Sequence, residues 1–387
     1  MNVPADDITG APAELSVAEV RTAFQAWLHA KASELGEFRN LSTDVDEIFK
    51  SLSRLQRLLY SEGWIRLGWP EEVGGLGGPL VLRAVISEEL AAAGYPPPFS
   101  FGTQEVLGPA VARFATPELA AEVLPRLLRG DETWCQGFSE PGAGSDLAAL
   151  RLRAVDDGDT WRLSGEKIWT SWAQYADRCV ILARTGSLES AHKGITAMLL
   201  DMDTPGIEVR PLRSMNGDDE FCSLYFEDVV VPKSRTLGEA GEGWAVAMFV
   251  LSCERGAAAW QRQAWMRWRL GSLAADASDL PPHTAGEALE LIHILRLMSR
   301  RTVRSLSAGE QVGAVSSFDK LMMSTAEKFL FDTVLSAIPE TLLLTDNESA
   351  RDWRSDYFYS RASSIYGGAA EIQRNIIAER VLGMPKD

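Results

Sequence analysis

The stretch Trp134–Leu147, WCQGFSEPGAGSDL, decides how this chain is built. On its N-terminal side apolar residues recur at helical spacing. On its C-terminal side short aromatic and β-branched runs alternate with turn residues. Working back from it, Asp44–Glu62 carries Ile48, Leu52, Leu55, Leu58 and Leu59 along one helical stripe. Ser16 is a cap for a helix predicted over Val17–Leu35. Leu80–Ala93 reads as another helix, and Thr116 followed by Pro117 and Glu118 reads as a helix start with proline at the first position. Between these lies GWIRLGWPEEVGGLGGP at 63–79, which reads as a structured loop, and residues 1–13 read as a flexible lead.

Working forward, TWRLSGEKIWTS at 160–171 predicts two short strands about a Ser164–Gly165 turn. VILART, ITAMLLDM, IEVRPL and CSLYFEDVVVP follow as further strands. From Gly243 the pattern is helical to the end, with a looser stretch at DASDLPPHT, 276–284. Helix, then sheet, then helix is an α+β order and not an alternating βαβ one. The expected domains are 1–131 (helical), 132–236 (β) and 237–387 (helical).

Composition narrows the function. At 387 residues the chain is long enough for two or three domains of roughly 150 residues. With 46% hydrophobic residues it is no disordered chain. The net charge of −16 argues against general nucleic-acid binding, which needs a basic surface. Cysteines 135, 179, 222 and 253 form no CxxC pair, so neither a zinc site nor a disulfide scaffold is expected. The acidic N-terminus lacks an apolar signal core, and the longest apolar run, near Trp244–Cys253, is about half a membrane span. A cytoplasmic protein is the expectation. There is no GxxxxGK[ST], no GxGxxG between strand and helix, no GxSxG and no HExxH. His29, His192, His283 and His293 read as surface or helix-face residues.

Four segments carry chemistry. In Trp134–Leu147, Gly142 and Gly144 let backbone approach a flat or phosphorylated ligand, and Ser139 and Ser145 supply hydroxyls. The segment is either a cofactor cradle or a plain interdomain loop. GEKIWTS at 165–171 sets an aromatic face beside two hydroxyls, although a core tryptophan is the simpler reading. In GWAVAMFVLSCERG at 243–256, Glu254 shares a helix face with Ala247, Val250, Leu251 and Ala258. A carboxylate there is costly to desolvate, and desolvation makes it a base near neutrality. A salt bridge to a distant Arg or Lys is the alternative. In IYGGAAEIQRNIIAERVLGMPKD at 365–387, Ile372, Ile376, Ile377 and Val381 form an apolar stripe. Gly367 and Gly368 free the backbone just ahead of that helix, where N–H groups are open to an oxyanion.

In this order, GWIRLGWPEEVGGLG, SEPGAGSDL, GEKIWTS, GEGW and EIQRNIIAERVLG resemble the acyl-CoA dehydrogenase family over nearly the whole chain. The resemblance implies an N-terminal helical domain, a small middle β-barrel domain and a C-terminal four-helix bundle. It implies FAD, an acyl-CoA substrate, lipid catabolism, and an electron acceptor such as an electron-transfer flavoprotein. It places Gln136, Phe138, Ser139, Gly144 and Ser145 beside the flavin or acyl-CoA, packs Trp169, Thr170 and Ser171 against the flavin ring, and puts Gly368 and Glu371 at the cofactor. Many members carry the catalytic base in a Tyr-Glu-Gly-Thr stretch. This chain reads Tyr366–Gly367–Gly368–Ala369. A second subgroup carries the base on the first helix of the C-terminal domain before an Arg, which here is Glu254 before Arg255. The implied chemistry is α-proton removal by Glu254, hydride transfer from the β-carbon to flavin N5, and enolate stabilisation by the Gly367 N–H and a ribityl hydroxyl. Arg255 steadies the site or meets the CoA phosphates. A base so placed goes with branched, long or sterol-like chains. Trp244, Phe249, Trp260 and Trp265 line that pocket or are simply core.

The chain departs from the family at Ala369, which replaces a usual Thr, and at one longer stretch. The Arg-x-x-Phe-Gly that binds FAD across a subunit interface has no match in QAWMRWRLGSLAADASDLPPHTAGEALELIHILRLMSR, 263–300. The resemblance therefore implies either a homotetramer or an α2β2 assembly with a paralogous chain. A partner-dependent or catalytically silent subunit and an acyl-CoA oxidase-like flavoenzyme are the other expectations.

Overall fold

In the computed structural model the described residues are 15–39, 41–42, 44–98, 101–277, 280–310 and 312–386. The N-terminal helices are α1 (Val17–Ala30), α2 (Ala32–Leu35), α3 (Val45–Ser61), α4 (Leu80–Ala92), α5 (Phe101–Val106), α6 (Gly108–Phe114) and α7 (Pro117–Arg129). Strands β1 (Trp134–Gly137), β2 (Arg153–Asp157), β3 (Thr160–Ser171) and β4 (Arg178–Arg184) follow. Then come β5 (Ile195–Asp201), β6 (Ile207–Leu212), β7 (Phe221–Pro232) and β8 (Thr236–Leu237). Helices α8 (Gly243–Asp276), α9 (Pro282–Ser307), α10 (Ser316–Ala337), α11 (Pro339–Leu344), α12 (Glu348–Ala362) and α13 (Ala370–Arg380) complete the chain. The lead expected over residues 1–13 lies outside the described residues, and no helix among those described is long and apolar enough to cross a membrane.

The Ser16 cap and the helix start at Thr116 hold. Ser16 and Glu19 form a reciprocal capping box and Thr116 accepts from the Leu119 N–H; Asp44, not marked as a cap, accepts from the Asp46 and Glu47 N–H groups. The first helix is shorter than expected. It ends at Ala30, where Lys31 leaves helical geometry (φ −93°, ψ 9°) and its N–H turns back to Trp27 and His29.

The chain packs as two compact units. One takes in the described residues of Met1–Glu71, Gly75–Pro98 and Glu254–Asp387; the other takes in Glu72–Gly74 and Phe99–Cys253. In the first unit, Phe24, Trp27 and Trp64 pack ring against ring among Leu55, Leu59 and Ile65. A second cluster joins α8, α9, α10 and α12 through Leu273, Ile292, Leu330, Phe331 and Trp353. Each such side chain, fully buried, contributes about 1.5–3 kcal/mol. The loop at 63–79 is structured as expected: the Gly68 N–H reaches Gly77 O at 2.7 Å and the Gly77 N–H reaches Trp69 O at 2.8 Å.

In the second unit the strands form one eight-stranded sheet in the order β6-β7-β3-β2-β4-β5-β8, with β1 pairing β4 in parallel. The expectation of two strands at 160–171 is corrected. Thr160–Ser171 is one strand, paired antiparallel with β7 on both sides of Ser164–Gly165. The chain does not reverse at Gly165 (φ 140°); the register shift there places the extra residue on β7, at Glu227–Asp228, where Asp228 sits at φ 50°. A second register shift falls between Lys167 and Thr170. It turns Trp169 outward at φ 62°, leaving it 60% exposed. All four cysteines are free and buried.

Candidate active site

Two groups of expected site residues come together, one in each unit. In the first unit they gather where α8 meets the turn after α12. Glu254 is partly buried there, as is Ala258 one turn further along α8; Ala247 and Val250, earlier on the same helix and in the second unit, are fully buried. The Glu254 carboxylate points at Gly367, which sits at φ 61°. A Cβ built on Gly367 would lie 2.6 Å from Glu254 Oε1 and 3.7 Å from Lys320 Cε. The carboxylate thus occupies the space a side chain at 367 would need, and any other residue there would push it aside and strain a left-handed backbone. Burial pushes the Glu254 pKa up, opposed by the charges of Lys320 and Arg255. The alternative reading of Glu254, a salt bridge, is not what forms: among the described residues no side chain closes an ion pair onto it.

Gly368 is fixed by a different neighbour. It has φ 98°, and a Cβ there would meet Gln373 Nε2 at 2.2 Å. Gln373 is fully buried, and its Nε2 donates to Gly367 O and Gly368 O at 3.3 Å each. The Gly-Gly turn is therefore held from α13, with its carbonyls engaged on the helix side. Glu371 stands exposed on the first turn of α13, 3.6 Å from Arg374. Arg255 is partly buried, and its buried Nε has no hydrogen-bond partner. Removal from water holds its pKa below the usual arginine value.

In the second unit the expected residues gather on β1, the loop after it and the end of β3. Gln136 sits on β1 opposite Val180. Phe138 is buried, Ser139 is partly exposed, and Gly144 and Ser145 are exposed just after a tight turn closed by Glu140 and Ala143. A Cβ at Gly142 or Gly144 would meet nothing within 4 Å, so that face of the turn is open. The Ile168 N–H donates to Ser139 O at 3.0 Å, joining this loop to the WTS end of β3. There Trp169 stands outward, edge to face with Phe221 at 5.8 Å, Ser171 is exposed, and the buried Thr170 hydroxyl has no partner.

The loop rests on two residues that the motif reading passed over. Lys167 Nζ, wholly buried, donates to Phe138 O at 3.0 Å and to Glu140 Oε1 at 2.8 Å. Glu140 also accepts the Arg151 and Leu152 N–H groups. Burial pulls the Lys167 ammonium down to about 8, and Glu140 holds it from falling further. Both residues lie inside quoted motifs, SEPGAGSD and GEKIWTS, but only the fold pairs them. Lys320 and Gln373 were likewise unmarked in the sequence. Trp260 resolves to the simpler reading: it is buried, with its indole N–H on Ala84 O at 2.7 Å. Trp265 lies under Arg262 at 3.8 Å, Trp244 stacks on His192, and Phe249 packs on Phe114.

The described residues thus supply helices, a sheet carrying a Gly-rich loop, and a carboxylate opposed to a Gly-Gly turn. Family profiles match three successive stretches of the chain: acyl-CoA dehydrogenase N-terminal domain over 19–131, middle domain over 135–229 and C-terminal domain over 241–382. The acyl-CoA dehydrogenase IpdE1 of Mycobacterium tuberculosis (strain ATCC 25618 / H37Rv) is 35% identical over 384 residues, covering 96% of this chain and 98% of that protein. Among solved structures, the Tcur3481-Tcur3483 steroid ACAD matches with TM-score 0.80 and 27% identity, covering 96% of this chain and 97% of that one. A chain of the ChsE4-ChsE5 complex from Mycobacterium tuberculosis matches with TM-score 0.73 and 26% identity, over 96% and 97%. The chain belongs to the acyl-CoA dehydrogenase family and is an oxidoreductase of that kind.

Proposed function

We propose that the protein carries out FAD-dependent α,β-dehydrogenation of a bulky, sterol-derived acyl-CoA thioester, with Glu254 as the base. The observation that carries this reading is the Glu254 carboxylate lying in the side-chain space of Gly367. A carboxylate raised toward neutrality can take an α-proton whose acidity the adjacent carbonyl supplies. The Gly367 N–H lies on the same turn and is free to meet the thioester oxygen as negative charge develops there. Gln373, by holding the carbonyls of 367 and 368, keeps that turn from rotating.

The residues of the second unit fit a flavin. Thr170 offers a buried hydroxyl without a partner, Trp169 an exposed ring held outward by a bulge, and Gly142 and Gly144 an open backbone face. Gln136, Phe138, Ser139, Ser145, Trp169, Thr170 and Ser171 would hold it. FAD, when bound, accepts the β-hydrogen as hydride. Arg255, with its unpaired Nε, is suited to an anionic part of the substrate. The sterol-derived substrate is favoured by the likeness to a protein named a steroid ACAD.

A partner chain is part of this reading. The missing Arg-x-x-Phe-Gly stretch and the likeness to chains of the named pairs favour an α2β2 assembly with a paralogous chain over a homotetramer. The test is anaerobic spectroscopy of the chain purified alone and with a co-expressed paralogue. Flavin absorbance that bleaches with a steroid-derived acyl-CoA, and no bleaching in Glu254→Gln, is the expected result. Full bleaching in that variant removes Glu254 as the base. One FAD per subunit in the chain alone removes the partner.

A further inference from the structure

Lys320 lies on α10 and is buried, with 4% exposure. Its Nζ donates to Ser363 O at 2.8 Å and sits 3.8 Å from the Tyr366 ring centroid. Its Cε and the Glu254 carboxylate approach the same point, the missing Cβ of Gly367. A buried ammonium thus stands close to the Glu254 carboxylate yet is held by a backbone carbonyl on the turn that leads to Gly367. That arrangement supplies charge to the carboxylate without occupying its oxygens. An ion pair in direct contact would tie up the lone pair that has to receive a proton.

We propose that Lys320 is a positioning residue for the reaction: it sets the pH at which Glu254 becomes a base and anchors the turn carrying Gly367. The proposal rests on the reading of Glu254 as the base. The groups that act on Glu254 are Lys320 from α10 and Arg255 from α8. Those that act on Lys320 are Glu254, Arg255 and Arg262 from α8 and Glu327 from its own helix; Tyr366, from the turn after α12, lies against it. Arg380 on α13 acts on Arg255 in turn. Burial pulls Lys320 down to about 8, and Glu254 and Glu327 resist that fall, so the ammonium keeps its proton at neutral pH. Desolvation raises Glu254, and an opposite charge within about 4–6 Å offsets such a rise by about one to three pH units.

The test follows the Glu254 carboxyl by infrared difference spectroscopy of the assembled protein, its band identified by subtraction of Glu254→Gln. Lys320→Gln removes the charge while keeping a donor for Ser363 O; Lys320→Met removes both; Lys320→Arg keeps the charge. The expected result is a titration midpoint raised by about one pH unit or more in the Gln and Met variants, and near the unaltered value in Arg. The acidic limb of the dehydrogenation rate should move with it. In the unaltered protein the carboxylate band should also step near pH 8, as Lys320 loses its proton. A midpoint that stays put in Lys320→Gln, with or without lost thermal stability, overturns the proposal. So does the absence of the step near pH 8, which needs no variant. If Glu254→Gln still dehydrogenates substrate, the base assignment fails, while the titration of Glu254 still reports on Lys320.

Discussion

Lys167 and Glu140 form a buried ion pair, 2.8 Å between Nζ and Oε1, at the foot of the turn that carries Gly142 and leads to Gly144 and Ser145. The lysine comes from the middle of β3 and the glutamate from the loop after β1. The pair therefore fixes one motif of the expected cofactor cradle on the other, and Lys167 also holds Phe138 O.

Lys167→Met is expected to lower stability by about 3–5 kcal/mol, because it leaves the Glu140 carboxylate buried without its cation. Thermal unfolding reads that loss. Adding Glu140→Gln should recover part of it, since the two residues are directly coupled. The flavin-to-protein ratio after purification should fall in the single variant, and an unchanged ratio would show that the loop holds its shape without the pair.

Trp169→Ala separates binding from folding. The ring is 60% exposed on a bulge, so its removal should change stability by no more than about 0.5 kcal/mol. Aromatic packing is worth on the order of 1 kcal/mol beyond the area covered, so FAD affinity should drop about tenfold. Fluorescence titration of the apoprotein with FAD measures it, and equal affinity in the two proteins would remove Trp169 from the cofactor site.

Gly367→Ala puts a methyl group onto the Glu254 carboxylate and a side chain onto a left-handed backbone. Displacing a base by about 1 Å costs on the order of 100-fold in rate. The strained backbone adds about 1–3 kcal/mol of instability. Stopped-flow flavin reduction against calorimetric melting tests both halves. A variant that melts lower but reduces flavin at the usual rate would contradict the assignment of Glu254.

Glu88 on α4 predicts the acid limit of the first unit. Burial works against its ionisation, but hydrogen bonds from Arg296 at 2.7 Å and Arg21 at 2.6 Å outweigh it and hold its pKa below the ordinary 4.5. The folded state binds the proton less tightly than the unfolded chain, so this stabilisation is complete above about pH 4.5 and fades as pH drops through the lower folded value. Glu88→Gln should cost about 3–5 kcal/mol at neutral pH, leaving two arginines against a neutral side chain. Its unfolding free energy should also fall less steeply than the original below pH 4.5; parallel slopes in denaturant titrations would assign the acid limit elsewhere.

The order of helices and strands was legible because it depends on local signals. Ser16, Asp44 and Thr116 cap helices through neighbours two or three residues away, and such contacts are written in the sequence. The helix face of Glu254 was legible for a related reason: periodicity alone aligns it with Ala247 and Val250 along α8. The break at Lys31 and the single bulged strand at 160–171 were not. A Ser-Gly pair serves a turn and a continuous strand equally well, and β7, which pairs on both sides of it, decides between them. The same limit hid Lys167, Lys320 and Gln373. Each works through a partner on another element, and a basic or amide side chain in a helix or strand looks like a solvated one until its neighbours are placed.

The overlap of Glu254 with the missing side chain of Gly367 also constrains how such a site can change one residue at a time. The two positions draw on one volume, so a side chain gained at 367 and the present place of the Glu254 carboxylate are alternatives. Glycine at 367 leaves that volume to Glu254.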